Sequence, residues 1–145
     1  MNKIIASIAA VMIAGSAFAD GHASGDAEAG EKVYKKCRSC HMIVSDAGDT
    51  IAKGGKTGPN LYGVFGRQPG TANFKFGKDL VAAGETMTDG WSEEAFVAYV
   101  ANPKGWLKDA LGGNPKSKMT FKLPKEAEAR NVWAYLVSVG PQPDS

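Results

Sequence analysis

Hydrophobic positions fall into one continuous run near the start and a few amphipathic stripes, with glycine-rich polar chain between them. The run, Ile4 to Ala14, is 11 residues long, whereas a bilayer core takes about 20. Lys3 precedes it and Ala17-Phe18-Ala19 follows, which is the n-region, h-region and A-x-A cleavage site of a secretory signal. Residues 1–19 are therefore expected to be removed on export, leaving 126 residues, 20–145, as a single domain in the periplasm.

Beyond the signal the apolar spacing is helical. Asp26 can cap a helix running to Lys36, with Glu28 at the dipole's positive end and Ala29/Val33 beside Gly30/Tyr34 as its stripe. Residues 43–56 read as a polar loop. Pro59 can start a short helix through Leu61–Phe65 that stops at Gly66, and Lys78–Ala83 suits a turn or short helix. Ser92 is a natural N-cap for a helix that puts Phe96, Tyr99 and Val100 on one face and ends at Pro103. The last helix spans Lys125–Val139, with Ala129, Val132, Trp133 and Leu136 at helical spacing and Gly140-Pro141 as its stop. No segment alternates convincingly as a strand, and no repeat or linker appears. The pattern predicts an all-α, loop-rich fold.

Composition narrows the function. The 145 residues hold 17 Lys+Arg against 15 Asp+Glu, 22% charged and 43% hydrophobic residues, which argues against a disordered or nucleic-acid-binding chain. Two cysteines exclude a disulfide-rich scaffold and a four-thiolate metal site. All but one of the 18 glycines lie beyond residue 19, about twice the ordinary share of ~7%. Such loops bury little, so the polypeptide core is thin for its length, and a cofactor at the centre would supply what is missing.

Cys37-Arg38-Ser39-Cys40-His41 has the C-x-x-C-H spacing of a c-type haem attachment run. On a helical turn, residues i, i+3 and i+4 share a face, so both sulfurs and the imidazole point the same way. Two thioether bonds would then hold the ring while His41 meets the iron. A thioredoxin-like C-x-x-C would want a surrounding βαβ pattern, which is missing. A zinc site would need two further ligands, and His22 lies in a Gly/Ser-rich leader expected to be unstructured. A plain disulfide leaves His41 unexplained.

The sixth iron position is less determined. His22 lies outside the first helix, and Met42 adjoins His41, so it cannot reach the opposite face of the ring. Met87 sits in a Gly/Thr-rich loop, where spacing alone does not exclude it. Met119, in the loop before the last helix, can fold over that face, although methionines more often simply fill cores.

The ordered set Cys37-Arg-Ser-Cys-His41, Thr57-Gly-Pro-Asn-Leu61, Gly66-Arg67, Trp91, Tyr99, Asn102-Pro103-Lys104 and Lys118-Met119-Thr-Phe121 strongly resembles the class I cytochromes c, and within them the bacterial cytochrome c2 group. The resemblance covers about Gly25 to Val139. It implies a class I cytochrome c fold wrapped around one covalently attached haem c, with Met119 as distal ligand. It also implies that the Pro59 carbonyl accepts the free N–H of His41, which fixes the tautomer and raises ligand basicity. Arg67 and Trp91 would hold a haem propionate, Tyr99 would lie near Met119, and Gly30 and Tyr34 would meet the last helix at Tyr135. Phe76 stands where many relatives carry a tyrosine propionate donor.

The function so implied is a monomeric one-electron carrier. It would take electrons from a membrane cytochrome bc1-type complex and deliver them to a photosynthetic reaction centre or a terminal oxidase. The alternative is a small haem peroxidase or gas-binding protein with a displaceable sixth ligand. Charge favours docking. Residues 35–58 carry five cations against Asp46 and Asp49, and residues 101–125 six lysines against Asp109. These segments hold both candidate iron ligands, so Lys36, Lys104 and Lys118 are expected to rim the haem edge, with Lys78, outside both segments, as the control.

Overall fold

The computed structural model describes residues 22–141. The expected signal segment and its cleavage site lie outside the described residues. Among the described residues five helices carry the fold: α1 (Ala27–Tyr34), α2 (Lys78–Gly84), α3 (Glu93–Ala101), α4 (Pro103–Leu111) and α5 (Glu126–Val139). A two-stranded antiparallel hairpin, β1 (Ile43–Val44) with β2 (Thr50–Ala52), follows α1. Among the described residues no helix is long and apolar enough to cross a membrane.

The helix α1 starts where its cap dictates: Asp26 Oδ1 accepts from the Ala29 amide at 2.7 Å. It packs on α5, its main partner in the fold. At the crossing, a side chain on Gly30 would run into the Asn131 carbonyl and the Tyr135 side chain, so the backbones meet only because position 30 lacks a Cβ. Tyr34 and Tyr135 pack with ring centroids 5.5 Å apart. In α5, Val132, Trp133, Ala134, Tyr135 and Leu136 are all buried, making it the central helix.

The leader is ordered from His22 onward, contrary to expectation. Trp133 Nε1 donates to the His22 carbonyl at 2.7 Å, and the His22 ring lies 4.5 Å from Phe65. Glu93, 8% exposed, accepts from the Ser24 amide and hydroxyl and pairs with Arg130 at 3.0 Å. A buried carboxylate persists only when so partnered, and these bonds strap the leader to α3 and α5.

Three local expectations are corrected. No helix forms over 61–65. Asn60 intervenes, its amide donating to the Val44 carbonyl while its oxygen accepts from the Val44 and Tyr62 amides, and the chain turns at Tyr62-Gly63. The hairpin escaped a pattern search because its strands are two and three residues long and only Ile43 is fully buried. Pro103 does follow the end of α3, yet it also opens α4. Asn102 caps the Gly105 amide at 3.2 Å, and proline is well suited to a first helical position.

Candidate haem site

The turn after α1 continues helically. The His41 and Cys40 amides both donate to the Cys37 carbonyl, at 3.0 and 3.2 Å. Both thiols are free and, with His41, line one cleft of about 1370 Å³ counting its open mouth. Leu61, Val64, Leu80, Phe96, Leu107 and Val132 give that cleft apolar walls.

His41 is set by the chain that wraps it. Its Nδ1 lies 2.8 Å from the Pro59 carbonyl, and a carbonyl can only accept, so Nδ1 carries the proton and Nε2 is left as the ligating nitrogen. A Cβ on Gly58 would stand 2.5 Å from His41 Cε1, so the loop lies flat against the ring only as glycine. Burial lowers the His41 pKa; the Pro59 bond raises it in part, and nearby Arg67 lowers it again. The imidazole is thus kept neutral, the form that binds a metal. The thiols differ: burial, then proximity to Cys40, raises the Cys37 pKa to about 11, whereas hydrogen bonds from Thr57 and Ser39 lower that of exposed Cys40.

Across the cleft stands the loop between α4 and α5. Met119 lines the cleft; Met87 packs against the core outside it, and Met42 does not line it either. Ser117 Oγ donates to the Met119 carbonyl at 2.8 Å, and burial raises the Tyr99 pKa while nearby Ser117 lowers it in part. Tyr99 therefore lines the cleft beside the Met119 loop and near Ser117, a residue that no motif singled out. Tyr99 also packs with Trp91 at 5.1 Å and with Trp106 at 5.4 Å, the latter on the unexpected α4.

Arg67 and Trp91 are brought side by side by backbone: the Trp91 amide donates to the Arg67 carbonyl at 2.9 Å. The Arg67 guanidinium lines the cleft, held by the carbonyls of Tyr62 and Asn60 at 3.2 and 3.1 Å. It forms no ion pair among the described residues. A half-buried cation facing an apolar cleft suits a ligand carrying a carboxylate there. Two thiols, a neutral imidazole, a facing thioether and this cation form a donor set that fits haem with its propionates.

Of the docking lysines, Lys36 and Lys118 line the cleft and Lys104 lies one turn before the lining Leu107. Lys36 is partly neutralised by Glu128 at 2.8 Å, and Lys118 Nζ donates to the Lys75 carbonyl at 2.7 Å. Lys116, not singled out from the sequence, also lines the cleft. Lys78 does not line the cleft, although its neighbour Gly77 does and faces the Lys118 methylenes.

Fold and site together define a helical haem protein with C-x-x-C-H attachment. The cytochrome c family model matches residues 27–140, and the chain belongs to that family. It is 56% identical over 118 residues to cytochrome c-551 of Roseobacter denitrificans, covering 81% of this chain and 83% of that one. It is 52% identical over 123 residues to cytochrome c2 of Cereibacter sphaeroides, covering 82% and 98%. Among solved structures, cytochrome c2 from Rhodobacter sphaeroides superposes with a TM-score of 0.78 at 52% identity, covering 83% of this chain and all of that one. Ferric cytochrome c-550 from Paracoccus versutus gives 0.76 at 44% identity, covering 81% and 100%. The chain is thus a bacterial class I cytochrome of the c2 group, an electron carrier with one covalently attached haem c.

Proposed function

We propose that the chain carries single electrons in the periplasm, with its haem iron held by His41 on one side and Met119 on the other. The observation that carries the ligation is that His41 and Met119 line one cleft while Met87 packs outside it. Bound there, the haem supplies a one-electron ferric/ferrous couple, and a thioether ligand favours the ferrous form and raises the potential. Cys37 and Cys40 anchor the ring, and the Pro59 carbonyl holds the imidazole in one tautomer. Arg67 and Trp91 hold a propionate, and the apolar walls keep water from the metal. Residues 1–19 direct the chain to export.

The mouth carries Lys36, Lys116 and Lys118, with Lys104 close by. This positive rim steers a membrane complex with an acidic face and aligns the exposed edge with it. The donor is a cytochrome bc1-type complex, and the acceptor a photosynthetic reaction centre or a terminal oxidase. The test is a redox titration, followed by stopped-flow kinetics with each purified complex at several salt concentrations. The expected result is one reversible one-electron couple and second-order transfer that slows as salt rises. Peroxide turnover, or rapid cyanide binding to the iron, would favour the enzyme or gas-binding alternative.

A further inference from the structure

A second, open concavity lies between the attachment turn and the chain leaving β2. It is lined by Lys35, Arg38, Ser39, Lys53 and Gly54, so three of its five residues are cations and none is acidic. Its two sides are stitched together. Arg38 Nε donates to the Lys53 carbonyl at 2.9 Å, and the Gly55 amide donates to the Arg38 carbonyl at 2.9 Å.

We propose that this cradle binds a multivalent phosphate-type oxyanion. The Nε bond fixes the plane of the guanidinium and leaves the two terminal nitrogens to grip an oxyanion in the forked manner that arginine favours. Lys35 and Lys53 bring their charges to the same concavity, and Ser39 adds a hydroxyl. What sets these cations apart is that three of them converge on one concavity with no carboxylate in its lining, and that none of the three is neutralised by an ion pair among the described residues. Lys32 pairs with Glu28, Lys36 and Lys125 with Glu128, and Arg130 with Glu93 and Glu126; Lys35, Arg38 and Lys53 form no ion pair among the described residues. Three like charges around one concavity repel one another, and a multivalent anion relieves that repulsion. Ser39 lines both this cradle and the haem cleft. On the docking reading given above, an anion held here weakens the positive field beside the mouth and slows encounter with an acidic partner.

Binding is tested without any partner, so its outcome is independent of the docking reading. The full haem-loaded protein is titrated with inorganic phosphate and with pyrophosphate at constant ionic strength, and followed by calorimetry and amide chemical shifts. Saturable one-site binding is expected, tighter for pyrophosphate, with shifts confined to residues 35–39 and 53–56. Arg38→Gln weakens it about tenfold and Arg38→Lys less, because lysine keeps the charge but loses the fork. Lys53→Gln, which keeps the stitching carbonyl, weakens it several-fold, and Lys32→Gln leaves it unchanged. Displacement of pyrophosphate by vesicles containing phosphatidylglycerol, but not by pure phosphatidylcholine, assigns the site to a lipid headgroup; retention of pyrophosphate assigns it to the free anion. Shifts spread over all exposed lysines, absence of saturation, or equal binding by Arg38→Gln would overturn the proposal.

Discussion

The wall of the cleft that carries His41 and the wall that carries Met119 are held by different means. On the histidine side the chain is pinned backbone to backbone: His41 and Cys40 to Cys37, Gly55 to Arg38, and Gly58 to Cys40 at 2.8 Å. The proposed covalent attachment at Cys37 and Cys40 would reinforce that side. On the methionine side, the loop joining α4 to α5 is held mainly at single points by side chains. Asp79 accepts from the Lys116 amide at 2.7 Å, Ser117 holds the Met119 carbonyl, and Lys118 reaches the Lys75 carbonyl. One backbone bond, Leu123 to Val100 at 2.7 Å, closes its far end. Chain held this way opens locally at less free energy than chain held by contiguous backbone bonds. Of the two proposed ligands, His41 is therefore built into the fold, and Met119 rests on a loop expected to open without unfolding the protein.

The largest effect is expected where the rigid wall is breached. Gly58→Val drives a branched side chain into the His41 ring and should destabilise by roughly 3–5 kcal/mol or prevent haem loading, as read by yield of haem-bound protein and thermal melts. A related consequence concerns the haem itself. With a thin apolar core, haem-free protein should be largely unfolded, and a cooperative melt with full helical circular dichroism would contradict that.

A smaller and more local effect is expected on the loop. Ser117→Ala removes the bond to the Met119 carbonyl, worth about 1 kcal/mol. It should raise the rate at which imidazole enters the iron site roughly fivefold while shifting the global melt little. Equal loss on both readouts would mean that the loop opens only with the whole fold.

The smallest effects concern charge at the mouth. Lys118→Glu and Lys104→Glu should slow association with a bc1-type complex several-fold at low salt, with the potential nearly unchanged. Lys36→Gln should do less, since Glu128 already offsets part of its charge. Lys78 adjoins the cleft-lining Gly77, so Lys32, paired with Glu28 on the exposed face of α1, is the better control. Wild type should respond to salt more than the reversals, because screening acts within about 8–10 Å. Identical rates for Lys118→Glu and Lys32→Glu would remove the basic rim from the account.

The sequence made the pinned wall more legible than the loop. C-x-x-C-H followed by Thr-Gly-Pro names residues whose chemistry is specific to their spacing, and the ordered motifs led to the family that the comparisons show. Helices α1, α3 and α5 were readable because each has a cap, a stripe or a stop of its own. Helix α4 was not, because Pro103 reads equally as an end and as a beginning, and only the Asn102 cap decides. The role of Ser117 rests on its bond to the Met119 carbonyl in a loop with no periodic pattern, beside a Tyr99 that lies 18 positions away, and local pattern cannot register either. Spacing likewise left Met87 and Met119 open, and the folded chain separates them, because Met119 lines the cleft whereas Met87 packs against the core without lining it.

The central claim is that Met119, and not Met87, completes the iron's coordination opposite His41. It is tested most directly by the weak methionine–iron charge-transfer band of the ferric protein, recorded for wild type, Met119→Ala and Met87→Ala. The account predicts that the band disappears in Met119→Ala, with a potential lower by on the order of 0.1 V or more, within the ~0.8 V range that axial ligands span, and that it persists in Met87→Ala. A band retained in Met119→Ala, or lost in a folded Met87→Ala, would contradict it.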